Sequence, residues 1–171
     1  MLSELVDFAE EQPKRLRKTA MTFQQTRDIL DYVRGFHKRL SDFYHQLSDE
    51  VEKPRVKMLL DYMSLHEKHF QEDLAAYEEG APRKVMDTWF QGTPDRSILE
   101  LYEDIQIRPD MSLNEVVRLA FEVDDSLIEF FRGMVECTEC QEVRELFINL
   151  LEAEEQEKHR LTRSVVQLED M

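Results

Sequence analysis

Two pairs of side chains that bind metals in proteins occur in this chain at one spacing. His37 is followed 30 residues later by Glu67, and Asp124 is followed 30 residues later by Glu154. Glu157 comes one helical turn after the second glutamate. Imidazole and carboxylate groups suit iron, manganese and zinc. The doubled spacing indicates one site assembled from two related halves of the chain.

A longer repeat relates the two halves. Residues 33–74 align without a gap with the residues 87 positions later. The identical pairs are Leu40 and Leu127, Phe43 and Phe130, Val56 and Val143, Leu59 and Leu146, Glu67 and Glu154, and Leu74 and Leu161. A repeat of this length with two long segments of helical periodicity predicts two copies of one helical hairpin.

The first hairpin is predicted over residues 22–79. Its first helix is expected to start near Thr22, with Gln25 completing a capping box, and to end near Glu50. Its second helix is expected to start at Pro54, because proline is accepted in a first turn. The turn between the two helices is short, so they should pack as antiparallel neighbours.

A long crossover is predicted over residues 80–111, where prolines and glycines interrupt the helical rhythm. One short helix is expected within it, from Ser97 to Asp104. Trp89 and Phe90 should cap the bundle or contact a second copy of the chain.

The second hairpin is predicted over residues 112–168, opening on a capping box formed by Ser112 and Glu115. Two antiparallel hairpins joined by one long crossover define an all-α fold, the ferritin-like variant of the four-helix bundle. We expect a single domain over residues 1–171, with residues 1–21 as an N-terminal arm.

The arm combines an apolar part and a basic part. Its apolar residues precede Pro13, and a basic run, residues 14–18, follows. Charge runs usually face water, so the expected role is a packing arm with solvated charges. Covering a neighbouring subunit is the alternative. The apolar residues are Leu2, Leu5, Val6, Phe8 and Ala9.

Composition excludes several functional classes. Lysine and arginine number 22 against 37 aspartate and glutamate, and the net charge of −15 would repel nucleic acid. Charged residues interrupt the apolar runs, so no membrane segment is expected. The acidic N-terminus does not resemble a signal peptide. We expect a soluble cytoplasmic protein.

Helical geometry predicts which acids point inward. At 100° per residue, Glu67 lies within about 40° of the apolar centre of its helix, and Glu154 within about 20°. Glu157 lies about 80° and His66 about 60° from the same kind of centre. A buried carboxylate costs several kcal/mol unless it is neutralised, paired or bound to a cation.

These segments resemble the rubrerythrin branch of the ferritin-like superfamily. The resemblance covers residues 26–79 and 112–168, and it implies a metal centre bridged by Glu67 and Glu154 and a homodimeric assembly. The blocks that carry it are Val33 to His37 with Asp42 to Tyr44, Ala120 to Asp124 with Glu129 to Phe131, Leu59 to Glu67, and Leu146 to Glu154.

The chain departs from the family at four ligand positions. The family places glutamate where this chain has His37 and Asp124, and histidine where it has Phe70 and Glu157. The chain therefore predicts a carboxylate-rich site with a non-standard ligand set.

Three interpretations of this layer are open. In the first, iron or manganese, or alternatively zinc, is bound by His37, Glu67, Asp124, Glu154 and Glu157, with His66 beside them, and the protein handles peroxide, oxygen or the metal itself. In the second, the site is degenerate, binds no metal, and His37 pairs with Asp124 or Glu67 in a redox-inactive dimeric scaffold or stress-linked interaction protein. In the third, the helical register is shifted toward His66 and His69.

Cys137 and Cys140 form a Cys-x-x-Cys pair at the turn between the last two helices. Two reduced turn cysteines are the simplest expectation. A cycling dithiol, or a four-cysteine zinc site completed across a dimer, are the alternatives.

Overall fold

The computed structural model describes residues 24–93, 108 and 110–169. The arm predicted over residues 1–21 and the short helix predicted over residues 97–104 lie outside the described residues. The proposed division of the chain into domain segments stays a prediction.

The described residues are almost entirely helical, which confirms the all-α class. The helices are α1 (Thr26–Glu50), α2 (Pro54–Gly80), α3 (Arg83–Met86), α4 (Leu113–Cys137) and α5 (Gln141–Glu169). Two short strands, β1 (Gln24–Gln25) and β2 (Trp89–Phe90), pair antiparallel, with Gln24 opposite Phe90.

The helix boundaries follow the sequence repeat. Thr26 and Leu113 begin α1 and α4, and these residues are 87 positions apart. Glu50 and Cys137, which end the same two helices, are also 87 positions apart. Helix α5 likewise begins 87 positions after α2. The predicted pair of related hairpins is therefore reproduced in the lengths and order of the helices.

The predicted start of the first helix near Thr22 was wrong. The helix begins at Thr26, and its capping box consists of Gln25 and Asp28 rather than Thr22 and Gln25. The backbone N–H of Gln25 donates to the Asp28 carboxylate at 2.9 Å. Gln25 is also held in extended backbone by its pairing with Trp89 of β2, which delays the helix. The pairing partner comes from residues far along the chain, so local sequence did not reveal it.

The predicted capping box at the start of α4 is confirmed. The Ser112 hydroxyl accepts from the backbone N–H of Glu115 at 3.3 Å, and the backbone N–H of Ser112 donates to the Glu115 carboxylate at 2.8 Å. These bonds satisfy two backbone donors that a helix start leaves open.

Ser112→Ala is therefore expected to destabilise the protein by about 1 kcal/mol, the usual cost of losing such a cap. The measurement is equilibrium unfolding in urea. Ser126→Ala is the matched control, because Ser126 is an exposed residue of the same helix whose hydroxyl donates to the Glu122 carbonyl. Equal unfolding midpoints for the two variants would contradict the capping role.

One hydrophobic core draws on all four long helices. Helix α1 packs along α2, and α4 packs along α5, as expected for helices joined by short turns. At one end of this core, Phe90 is buried and its ring meets that of Phe147 edge-on, with centroids 6.0 Å apart. Trp89 is 61% exposed. Phe90 alone thus covers the core at this end, and no described helix has the length and apolar composition needed to cross a membrane.

Candidate metal centre

Each of the four long helices contributes one ionisable side chain to a buried layer. His37 of α1 is 1% exposed, Glu67 of α2 is 6%, Asp124 of α4 is 7% and Glu154 of α5 is 2%. Each lies among apolar residues that recur every three or four positions, so helical geometry turns all four side chains toward the core. The prediction that Glu67 and Glu154 point inward is confirmed.

His37 connects the two glutamates. Its Nδ1 lies 2.6 Å from Oε2 of Glu67, and its Nε2 lies 3.5 Å from Oε1 of Glu154. The ring of Phe70 stacks on the imidazole with centroids 4.1 Å apart and an interplanar angle of 27°. Phe70 stands at a position where the family that this chain resembles has a histidine ligand, and here its ring is a wall of the layer.

Glu157 forms the rim of the layer. It is 5% exposed and accepts a hydrogen bond from the Tyr62 hydroxyl at 2.7 Å. Its other oxygen lies 3.3 Å from Nδ1 of His66 and 3.5 Å from the Arg160 guanidinium. The His66 side chain is 22% exposed, so this side of the layer is the one nearest to solvent. The 60° offset expected for His66 agrees with this partly inward position.

Three polar atoms of the layer are buried without a hydrogen-bond partner among the described residues. They are Nε2 of His37, Oδ2 of Asp124 and Oε1 of Glu154. An unsatisfied buried polar group costs roughly 1–3 kcal/mol. Three such atoms in one layer, on three different helices, indicate a centre that its own side chains do not complete.

Burial changes the proton affinities of the acids. Loss of hydration, reinforced by the charge of Glu157, raises the pKa of Glu67 to about 8. Loss of hydration also raises the pKa of Glu154 to about 8, although His37 opposes the shift. The pKa of Asp124 rises to about 8 for the same reason, with further contributions from Glu67 and Glu157.

The imidazoles shift in the opposite direction. Burial lowers the pKa of His37, against the opposing charge of Glu154. Burial also lowers the pKa of His66, against the opposing charge of Glu157. With Glu67 protonated and His37 neutral, the carboxylic O–H donates to Nδ1 and leaves Nε2–H directed at Glu154. Near neutral pH the metal-free layer therefore holds protons in place of charge.

The donor set suits a transition metal, but its present arrangement serves hydrogen bonding. Carboxylates and imidazoles match iron, manganese and zinc, and the orphaned oxygens of Asp124 and Glu154 belong to ligand-type groups. Within the described residues, no group of three or more His, Cys, Asp or Glu side chains is arranged to hold a metal ion as it stands. Coordination would require the proton between His37 and Glu67 to leave and the carboxylates to turn.

One functional contact was not predicted from the sequence. Tyr62 was expected to be a packing residue, but its hydroxyl donates to Glu157, and burial together with this bond raises its pKa to about 12. The contact joins residues 95 positions apart, so only its helical spacing from His66 could have suggested it. His45, His69 and His159 are exposed, as predicted.

Cys137 and Cys140 are free thiols at the turn between α4 and α5. Burial raises the pKa of the Cys137 thiol, with a further contribution from Glu136. The Cys140 thiol donates to the Glu142 carboxylate at 3.3 Å. The dithiol and zinc roles considered for this pair stay predictions.

Comparison of the chain with protein-family models, with curated proteins and with solved structures gives no match.

Proposed function

We propose that this chain is a metal-binding protein with a ferritin-like four-helix bundle, similar to rubrerythrins, whose central layer takes iron or manganese. The observation that carries the proposal is the layer itself. Four helices bury His37, Glu67, Asp124 and Glu154 together, and polar atoms of three of them lack partners among the described residues. A cation would relieve the mutual repulsion of these acids once they ionise.

Each residue has a role in this proposal. Glu67 and Glu154 would bridge, because they come from corresponding positions of the two hairpins and both approach His37. His37 and Asp124 would complete the inner ligand set. Glu157 would bind on the rim side, oriented by Tyr62 and His66. Iron or manganese bound here would supply redox chemistry toward peroxide or oxygen, or the metal itself would be the cargo.

The test is an anaerobic titration of chelator-stripped protein with Fe(II) or Mn(II), followed by calorimetry. We expect a saturable stoichiometric complex with release of protons, because the acids must lose their protons to become ligands. The double substitution Glu67→Gln with Glu154→Gln should abolish the complex.

The matched control is Glu72→Gln with Glu155→Gln, which replaces exposed glutamates of the same two helices. The control should bind metal as the parent protein does. Absence of saturable binding in the parent protein, or binding that survives the substitution of Glu67 and Glu154, would overturn the proposal.

A second candidate function is favoured by the 2.6 Å contact between His37 and Glu67. In that case the layer is a neutral hydrogen-bonded network, and the bundle is a redox-inactive scaffold or stress-linked interaction protein that forms a homodimer. Thermal melting distinguishes the two candidates. A metal-binding layer should be stabilised by roughly 2.7 kcal/mol at a free metal concentration 100 times the Kd. The scaffold should melt at one temperature with metal and with chelator.

A further inference from the structure

An apolar groove of about 220 Å³ lies between α2 and α5. Asp73 and Asn149 stand at its rim, and both are exposed. Open apolar surface of this kind gains free energy when another apolar group covers it. The groove is lined by Phe70, Leu74 and Tyr77 of α2 and by Leu146, Leu150 and Ala153 of α5.

The N-terminal part of the chain reaches the described structure beside one end of this groove. Gln24 pairs with Phe90, and the Phe90 ring lies 6.0 Å from that of Phe147. Phe147 is the neighbour in sequence of Leu146, which lines the groove. Whatever precedes Gln24 therefore starts close to the groove.

The preceding residues are long enough to cover it. The groove spans about two helical turns between Phe70 and Tyr77, or about 10 Å. Residues 10–23 could span up to about 45 Å when extended. Residues 2–9 can therefore reach any part of the groove.

The composition of these residues matches the groove. Leu2, Leu5, Val6 and Ala9 are spaced by three, one and three positions, which is the pattern of one apolar helical face. Phe8 adds an aromatic side chain of the size that a groove of this kind accommodates.

Charge supplies a second match. Residues 14–18 carry four positive charges in a chain whose net charge is −15. The last turn of α2 holds Glu78 and Glu79 and contains no basic residue. The C-terminal end of a helix carries partial negative charge, so nearby lysine and arginine side chains stabilise it.

We propose that residues 2–9 bind in the groove between α2 and α5 of their own chain, with the basic run of residues 14–18 over the acidic end of α2. The groove lies between the first and second hairpins, so the bound segment joins the two hairpins next to the buried layer. This role is independent of whether the layer binds metal.

The test is disulfide trapping in the full-length chain with Cys137→Ser and Cys140→Ser. Phe8→Cys is combined with Asn149→Cys at the groove rim, and the protein is oxidised gently with glutathione disulfide. The control combines Phe8→Cys with Glu52→Cys, an exposed residue at the opposite end of α2. We expect an intramolecular disulfide in the first protein, identified by peptide mapping, and little in the control.

Two outcomes would overturn the proposal. Equal yields for the groove and control pairs would mean that the segment has no preferred position. A disulfide formed only between two chains would show that the segment of a second copy occupies the groove instead.

A second measurement does not depend on new cysteines. Leu5→Asp should open the groove and increase binding of the hydrophobic dye ANS, whereas Ser3→Asp, on the polar side of the same segment, should not. Circular dichroism verifies that both variants remain folded. Equal dye binding by the two variants would also contradict the proposal.

Discussion

Glu154→Gln is expected to stabilise the metal-free protein by roughly 2–3 kcal/mol near neutral pH, although it removes a proposed metal ligand. Burial raises the pKa of this carboxyl from 4.5 to about 8. At pH 7 the folded protein therefore keeps a proton that the unfolded chain has released. Each pH unit of that difference costs about 1.4 kcal/mol of folding free energy. Glutamine cannot ionise, so the variant avoids this cost.

The amide group supports the same expectation. Oε1 of Glu154 and Oδ2 of Asp124 lack hydrogen-bond partners among the described residues, and a glutamine NH₂ at position 154 brings two donors into this layer. The measurement is urea unfolding of chelator-treated protein. The gain should be close to zero at pH 5, where both states of the natural glutamate hold most of their protons.

Glu155→Gln is the matched control for this experiment. Glu155 is the next residue along α5, and its half-exposed carboxylate lies 3.4 Å from Arg132. Surface substitutions of this kind usually change stability by no more than about 0.5 kcal/mol. A destabilised Glu154→Gln variant would mean that Glu154 is ionised and well paired in the metal-free protein.

The melting temperature of the metal-free protein is expected to fall as the pH rises from about 5 to about 8. The sign follows from the raised pKa values of Glu67, Asp124 and Glu154. Between the ordinary carboxyl pKa and about 8, the folded state binds more protons than the unfolded state. Stability is therefore full at the acidic end of this window and is lost as the pH passes through the folded pKa. The loss should be on the order of 3 kcal/mol.

Thermal melting at a series of pH values measures this effect. General repulsion among the surface charges of this acidic chain also weakens the fold as pH rises, so the slope of the parent protein alone is not decisive. The double variant Glu67→Gln with Glu154→Gln keeps the same surface and removes two of the three buried acids. Its profile should be flatter. Identical profiles for parent and variant would exclude the buried layer as the cause.

Both expectations have one physical origin, which also bears on the proposed function. A site that holds several acids without water is unstable in their ionised form, and a metal ion compensates for this when it binds. Residues that weaken a fold but serve a site are common at functional positions. Stabilisation by glutamine together with loss of metal binding would be the signature of such a position.

The helices could be predicted closely because their signals are local. Pro54 at a first turn and the capping box of Ser112 with Glu115 mark helix starts within a few neighbouring residues. The start at Thr22 was wrong because Gln25 pairs with Trp89, a contact between residues that are distant in sequence. The exposure of Trp89 and the burial of Phe90 depend on the same contact.

The candidate site could be predicted in part. Helical periodicity was sufficient to place Glu67 and Glu154 on buried faces, and the doubled spacing associated them with His37 and Asp124. Periodicity gives the direction of a side chain relative to its own helix, but not its distance from a side chain of another helix. The hydrogen bond from Tyr62 to Glu157 and the stacking of Phe70 on His37 therefore could not be predicted.

The sequence by itself determined the helical class, the 87-residue correspondence of the two hairpins and the inward direction of the acids, because each depends on residue order along one helix. Only the tertiary structure decided that His37 bonds to Glu67, that Tyr62 orients Glu157 and that polar atoms of the layer lack partners among the described residues. These features depend on distances between helices, which the packing of side chains from all four long helices sets.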